Sequence, residues 1–496
     1  MLELFIEMKK LIVAIVFLFV LPVLTIGVTG RQVHSVEATL DNGIAIMVDE
    51  RFELISTAFR LAGAEEYVSN YNPSYVRQVD DYFSSFKDHE LIGYIQHVRE
   101  SYNFAYSIPA KAAMMVELKN GHVRINPEWD LQKVFIETED YCWNEEIFRK
   151  FVRLLDSFYR NSRFHSFFVS HLQFYEETIP SCKDIPSRVQ MEWFRDFFGE
   201  ESVGVDMILG LCIGPNNYSI PDVCLKKDWN GRLAIVIGTQ EGTSGLPTVG
   251  EGVFPIIIHE IGHHYSNPLV NEHYGTMKDA SEFVYSKVKD QMTAIGYGNA
   301  ADVTGEWINE LFVNCYMSQN SSIGFLVAED VEEGYLWMER AVHYMDHFYR
   351  DRDRYPTIKE FMPQLSAFVN SLPSQWPTIE KEFADRHPYV VEVYPTGGVV
   401  TPETKEVHLF FSAPMITGIM GSSPLPGYES LQWEGHNREP WSVFRWENER
   451  TFVIDLTDAR VVPGNTYGIR LPFSTFVSTR HYRMKGDYDL VLKAVE

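Results

Sequence analysis

The sequence has little positive charge for its length. Its 496 residues include 43 Lys and Arg against 68 Asp and Glu, which gives a formal net charge of −25. A chain with this negative net charge is repelled by phosphate backbones and anionic lipid surfaces, so nucleic acid is not expected among its partners. Apolar residues make up 45% and charged residues 22%, a balance typical of globular proteins, and the length allows two or three domains.

Cysteine is also scarce. There are five Cys, an odd number, and none belongs to a C-x-x-C pair, which excludes a zinc ribbon. Export would permit disulfides, and Cys212 and Cys224 are close enough in sequence to close a short loop, but the pairing stays open. The five are Cys142, Cys182, Cys212, Cys224 and Cys315.

A long apolar run begins at Leu11, directly after the basic segment Met8-Lys9-Lys10. Small and polar residues follow it, which is the pattern of a secretory signal peptide, so residues 1–30 are expected to be one. The mature protein is then expected to be exported to the periplasm, the cell surface or the medium, without stable membrane insertion. An uncleaved anchor is the alternative, because the run to Val28 is nearly long enough to span a bilayer. Pro22 favours cleavage.

The stretch richest in chemistry is Phe254–Asn267, FPIIIHEIGHHYSN, which contains an H-E-x-x-H motif. On a helix, His259 and His263 lie on one face and can bind one metal ion. Two imidazoles with one carboxylate suit Zn²⁺, which lowers the pKa of a bound water to about 7. Glu260 is placed to take the proton from that water. The alternative is a core helix with hydrogen-bonded histidines, but burying these side chains without a metal is costly.

A catalytic zinc needs a third protein ligand, and the chain offers several carboxylates downstream. Two of them lie on a helix predicted at 302–318, whose apolar side chains define one buried stripe. At about 100° per residue, Glu306 points nearly opposite this stripe, whereas Glu310 lies closer to its edge. We therefore predict Glu310 as the third ligand. The carboxylates considered are Asp279, Glu282, Glu306 and Glu310.

The same helix carries a specific resemblance. Residues 307–314, WINELFVN, resemble the N-E-x-x-x-[DN] helix of gluzincin metallopeptidases. The resemblance implies that Glu310 is the third zinc ligand and that Asn314 supports a zinc-bound histidine. Gluzincins also use a Tyr or His to stabilise the oxyanion, and the helix predicted at 331–349 offers His343 and Tyr344 for this role. Ordinary polarity of a helix surface is the alternative for both.

Two wider resemblances cover most of the chain. Residues 35–370 carry RFELIS-x-x-F-RLAG, HE-x-x-H-x-x-SNP and INE-x-x-V, and resemble an uncharacterised family of exported bacterial proteins that are predicted metallopeptidases. From Tyr389 onwards, V-x-x-x-x-P-x-x-G, F-S-x-P-M and P-G-x-x-Y resemble a bacterial Ig-like domain. The family resemblance implies a fold and a metal site, and it gives no substrate.

The pattern of periodicities predicts an α+β protein. A mainly helical, zincin-like metallopeptidase domain is expected at 31–385, followed by an all-β, Ig-like sandwich at 388–496. Residues 373–388, rich in proline and charge, are expected to form the linker. Leu233–Gly238 is predicted as a strand just before the zinc helix, either an edge that holds substrate or an interior strand.

These features predict an exported zinc metallopeptidase of the gluzincin type, with a polypeptide as its substrate. One alternative is a non-catalytic surface or adhesion protein that retains the zincin scaffold. Another is a zinc hydrolase of a non-peptide amide, such as cell-wall or glycan material. The presence of Glu260 favours catalysis, because a zinc ion that only supports the scaffold needs no base.

Overall fold

The computed structural model describes residues 33–496 except 103, 128, 130, 132–143, 202–203, 221–231, 321–325 and 434–442. The predicted signal peptide, Cys142 and Cys224 lie outside the described residues. Within the described part, no helix is long and apolar enough to cross a membrane. The chain forms two compact units, one of residues up to Val270 with Asp353–Glu360, the other of Asn271–Arg352 with the chain from Phe361 onwards.

A mainly helical region precedes a β-rich C-terminal region, so the prediction of a mixed, mainly helical then β-rich chain is confirmed. The helices are α1 Glu50–Leu61, α2 Pro73–Phe83, α3 Glu90–Tyr102, α4 Ser107–Met115, α5 Glu145–Asn161, α6 Phe164–Ser170, α7 Leu172–Ser181, α8 Met191–Phe198, α9 Phe254–Ala294, α10 Ala300–Asn320, α11 Leu326–Glu333, α12 Met338–Tyr344, α13 Asp346–Arg350 and α14 Ile358–Arg386. The first nine strands are β1 Ser35–Thr39, β2 Ile44–Asp49, β3 Val116–Lys119, β4 His122–Ile125, β5 Val205–Gly210, β6 Asn217–Ile220, β7 Leu233–Gly238, β8 Gln240–Glu241 and β9 Pro247–Thr248.

The first unit is built on a five-stranded sheet in the order β1-β2-β5-β7-β6. The central strands β2, β5 and β7 are parallel, and the outer strands β1 and β6 are antiparallel to their neighbours. Every residue of the three central strands is buried, as expected for parallel strands covered on both faces. Strand β7 is therefore interior, and the edge beside it is β6.

Two helices continue through proline residues. Helix α9 passes through Pro268, and α14 passes through Pro373 and Pro377, where the linker was expected. A proline inside a helix removes one backbone hydrogen bond and crowds the preceding turn. Here the buried positions continue beyond each proline, at Leu269 and Val270 in α9 and at Trp376 and Ile379 in α14. Burial of these side chains offsets the local cost.

The C-terminal region contains two four-stranded sheets that share one hydrophobic core. The sheet orders are β10-β12-β15-β14 and β11-β17-β16-β13. Alternate residues of β12 are buried, which is the pattern of a strand with one face on a core. The strands are β10 Val390–Tyr394, β11 Val399–Val400, β12 Glu406–Phe411, β13 Ser423–Pro424, β14 Phe444–Asn448, β15 Thr451–Asp455, β16 Thr466–Leu471 and β17 Tyr488–Ala494.

Candidate metal centre

The two histidines of the H-E-x-x-H motif converge on one point. His259 and His263 lie one turn apart on α9, and their Nε2 atoms are 2.9 Å apart. Their rings are nearly perpendicular, at 87°, with centroids 4.5 Å apart. Two nitrogens that bind a tetrahedral zinc at 2.0–2.1 Å would be about 3.3 Å apart. A rotation of the rings that separates the two Nε2 atoms by a few tenths of an ångström would therefore accommodate the ion.

Asn267 orients one of these histidines. It lies one further turn along α9, and its Oδ1 is 3.2 Å from Nδ1 of His263. An amide oxygen only accepts hydrogen bonds, so Nδ1 carries the proton and the lone pair of Nε2 faces the point shared with His259. Sequence reasoning included Asn267 only as part of the S-N-P tripeptide. Its spacing of four from His263 was the signal that could have identified this role.

The third possible ligand is Glu306, where Glu310 was predicted. One ligand atom from each of His259, His263 and Glu306 lies within 4.8 Å of the others. Among the described residues, the groups of possible metal ligands do not include Glu310. Glu306 therefore joins the two histidines in the candidate ligand set. The assignment of Glu310 and the gluzincin resemblance stay predictions.

A tyrosine lies close to the Glu306 carboxylate. Tyr297, in the loop before α10, is near enough for the charge of Glu306 to act on its hydroxyl. Burial raises the pKa of Tyr297, and the charges of Glu306 and Glu310 raise it further, so the hydroxyl keeps its proton and stays a donor. A protonated hydroxyl beside a ligating carboxylate can donate to it, and such hydrogen bonds fix the carboxylate's orientation. No motif marked Tyr297, because the loop before α10 brings it close to Glu306.

Asn314 has a different partner from the one predicted. Its Nδ2 donates to Oδ2 of Asp330 at 2.6 Å and to the backbone oxygen of Glu310 at 3.0 Å. Its described hydrogen bonds include none with a histidine. Burial raises the pKa of Asp330, and the nearby Glu310 carboxylate adds to this effect. Asn314 therefore links α10 to α11, and Asn267 is the residue that supports His263.

Glu260 is buried, with 8% of its surface exposed. The edge strand β6 brings Tyr218 close enough for the Glu260 charge to act on it: burial raises the pKa of Tyr218, and the carboxylates of Glu66 and Glu260 contribute. The Tyr218 hydroxyl is buried, and it has no hydrogen-bond partner among the described residues. It is thus an available donor near Glu260. Sequence reasoning missed it, because a single tyrosine on a short strand carries no motif.

His343 and Tyr344, the predicted oxyanion stabilisers, end helix α12. His343 lines a cavity of about 510 Å³ whose other walls are charged side chains. The ring of Tyr344 packs against Phe368, with centroids 4.9 Å apart, and against Phe361 at 5.9 Å. Their proposed role in catalysis stays a prediction. The charged residues of the cavity are Glu339, Arg340, Glu382, Asp385, Arg386 and Arg480.

The suggested pairing of Cys212 with Cys224 involves a residue outside the described part of the chain. Within the described residues, Cys182, Cys212 and Cys315 are free and buried. Burial raises the pKa of the Cys212 thiol well above its ordinary value. A neutral, buried thiol of this kind is a packing residue of low reactivity.

The fold and the histidine pair define a mixed α/β chain with a candidate metal centre on a long helix. Residues 43–368 match the model of a family described as a domain of unknown function, DUF4932. This match covers more than half of the chain, and the chain belongs to that family. No curated protein matches it. Among solved structures, CopC from Methylosinus trichosporium OB3b is similar at 15% identity and a TM-score of 0.15, over 22% of this chain and 97% of that protein.

Proposed function

We propose that the protein is a zinc-dependent hydrolase of peptide bonds. The ligands are His259, His263 and Glu306, and Glu260 is the general base. The observation that carries this proposal is the convergence of two imidazole nitrogens 2.9 Å apart with a carboxylate within 4.8 Å. Two nitrogens and one oxygen form the donor set of hydrolytic zinc sites, which keep a further position for water. The orientation of His263 by Asn267 supports the same assignment.

The chain's own residues divide the work in the following way. Zinc bound here would polarise the substrate carbonyl and acidify a water. Glu260, next to His259 on the helix, accepts the proton of that water at its carboxylate and passes it to the leaving amine. Burial keeps this carboxylate away from bulk solvent. The Tyr218 hydroxyl, buried near Glu260, has a proton available for the substrate oxygen.

The β-rich C-terminal region is proposed to be an Ig-like sandwich at 388–496, following a zincin-like domain at 31–385. Two four-stranded sheets around one core support this assignment. The bound peptide is proposed to extend along the edge strand β6, because an edge offers unpaired backbone groups to an extended chain. Export is also proposed, on the basis of the residue pattern before Gly30.

The test combines metal analysis with digestion of a broad peptide library. Glu260→Gln should keep the zinc at this centre and lose turnover, because an amide cannot accept the proton. Glu306→Ala should lose this zinc under mild chelation, whereas Glu310→Ala, changed one turn away on the same helix, should keep it. Turnover by Glu260→Gln within an order of magnitude of wild type would show that Glu260 is not the base.

The same experiment separates the alternative functions. A wild-type protein that binds zinc through these ligands and cleaves no peptide would favour the non-catalytic scaffold. Release of products from cell-wall or glycan amides, with no peptide cleavage, would assign the same centre to a different amide. Loss of zinc from Glu310→Ala but not from Glu306→Ala would contradict the ligand set itself.

A further inference from the structure

A second cluster of possible ligands lies in the first unit, away from the H-E-x-x-H motif in sequence. It contains His34, just before β1, Glu50, the first residue of α1, and His165 in α6. Nδ1 of His34 is 2.5 Å from Oε2 of Glu50. Nδ1 of His165 is 3.0 Å from Oε1 and 3.1 Å from Oε2 of the same carboxylate. Three separate segments thus bring two imidazoles to one carboxylate.

The carboxylate of Glu50 is completely buried. A buried carboxylate is costly unless a cation or several donors compensate its charge. Its described ion pairs are with His34 and His165, and the neighbouring guanidinium of Arg51 binds Asp49 instead, at 2.6 Å. A metal ion held by this carboxylate and the two imidazoles would supply the compensating charge.

Both imidazoles reach solvent. The side chain of His34 is 27% exposed and that of His165 is 25% exposed, and their ring centroids are 5.2 Å apart. An ion can therefore enter from this side, and water can complete its coordination. Two imidazole nitrogens and one carboxylate oxygen suit Zn²⁺. The ligand atoms need to separate only slightly, since pairs around a tetrahedral zinc are about 3.3 Å apart.

A further residue fixes the carboxylate. The hydroxyl of Tyr159, on α5, donates to Oε1 of Glu50 at 3.1 Å. Hydrogen bonds of this kind to a ligating carboxylate are a regular feature of metal sites.

We propose that His34, Glu50 and His165 form a second zinc site. The site joins the start of β1, the N-terminus of α1 and helix α6. A zinc ion bound only by the folded chain stabilises that fold. The described cysteines are free. A bound metal would cross-link these three segments without the oxidation that a disulfide requires. This proposal does not rest on the hydrolytic function, because none of its ligands belongs to the centre on α9.

The test is a zinc titration of the metal-free full chain in competition with a chromophoric chelator, with metal content measured after gel filtration. Wild type should bind two equivalents. His165→Ala and His263→Ala should each bind one, and the double variant none. The remaining affinity of the second site in His165→Ala should be at least about 100-fold weaker. The matched control is His171→Ala, which removes an imidazole outside the cluster that contacts Gln78. This variant should bind two equivalents.

Several outcomes would overturn the proposal. In one such outcome, wild type binds a single equivalent of zinc, which is lost in His263→Ala and kept in His165→Ala. This result would show that hydrogen bonds alone hold the cluster. Two equivalents bound by His165→Ala would place the second ion elsewhere. If His165→Ala does not fold, Tyr159→Phe leaves all three ligands in place and should weaken the second zinc by about 10-fold. Unchanged affinity in Tyr159→Phe would then count against the site.

Discussion

Replacing Asn267 with Ala should weaken zinc binding at the centre on α9 without destabilising the helix. The variant removes the acceptor 3.2 Å from Nδ1 of His263. Without it, the imidazole of His263 can adopt the other tautomer and can rotate, so part of the population presents an N–H to the metal. The side chain of Asn267 is otherwise exposed, so the change leaves no cavity.

The size of the effect follows from the geometry. Loss of a supporting hydrogen bond to a ligand typically costs 10- to 100-fold in metal affinity. Water can replace an exposed, neutral acceptor, so we expect the lower end, about 10-fold or about 1.4 kcal/mol. Ala has a higher helix propensity than Asn by up to about 0.7 kcal/mol. The metal-free Asn267→Ala protein should therefore be as stable as wild type, or slightly more stable.

The assay measures zinc affinity by chelator competition and the unfolding of metal-free protein in urea. The relevant zinc is the equivalent that His263→Ala removes. Asn267→Asp is the matched control, since its carboxylate still accepts from Nδ1 and makes the imidazole more basic. It should bind zinc at least as tightly as wild type. An affinity of Asn267→Ala within twofold of wild type would refute the positioning role.

Two further predictions concern stability. Burial raises the pKa of Glu53 to about 7. Its contribution to stability is therefore complete below about pH 4.5 and is lost as the pH rises through about 7. Urea unfolding across this range should show a loss of at most about 3 kcal/mol in wild type, and none from this site in Glu53→Gln. Phe452 is fully buried between the C-terminal sheets, so Phe452→Ala should destabilise this region by about 3–5 kcal/mol, measured by thermal unfolding, whereas truncation of the exposed Tyr394 to Ala should change little.

Periodicity predicted the elements best where the burial pattern was simple. Leu233–Gly238 has the predicted bounds, because it is a continuous apolar run. Proline predicted boundaries poorly. The chain continues as helix through Pro268 and Pro373 because buried side chains follow them. Sequence alone does not show whether the packing beyond a proline outweighs its local cost.

The pairing of distant segments was the part that the sequence did not reveal. His34, Glu50 and His165 are far apart along the chain and belong to no spacing motif, so nothing in the sequence connects them. Asn267 and His263 are close in sequence and were predictable in principle, because residues four apart share a helix face. Local spacing therefore identifies the histidine pair and its supporting residue, and only the folded chain identifies ligands from other elements.

The choice between Glu306 and Glu310 depends on more than the apolar pattern of α10. The prediction of Glu310 assumed one buried stripe on this helix, with a ligand near the edge of that stripe. In the structure, Asn309 and Val313 are buried as well as Trp307 and Leu311, so α10 is buried over most of its circumference. On such a helix the apolar residues define no single direction. Glu306 and Glu310 lie four residues apart and share a face of the helix. Which of the two carboxylates lies beside the histidines therefore depends on how the chain packs and not on the apolar pattern of α10.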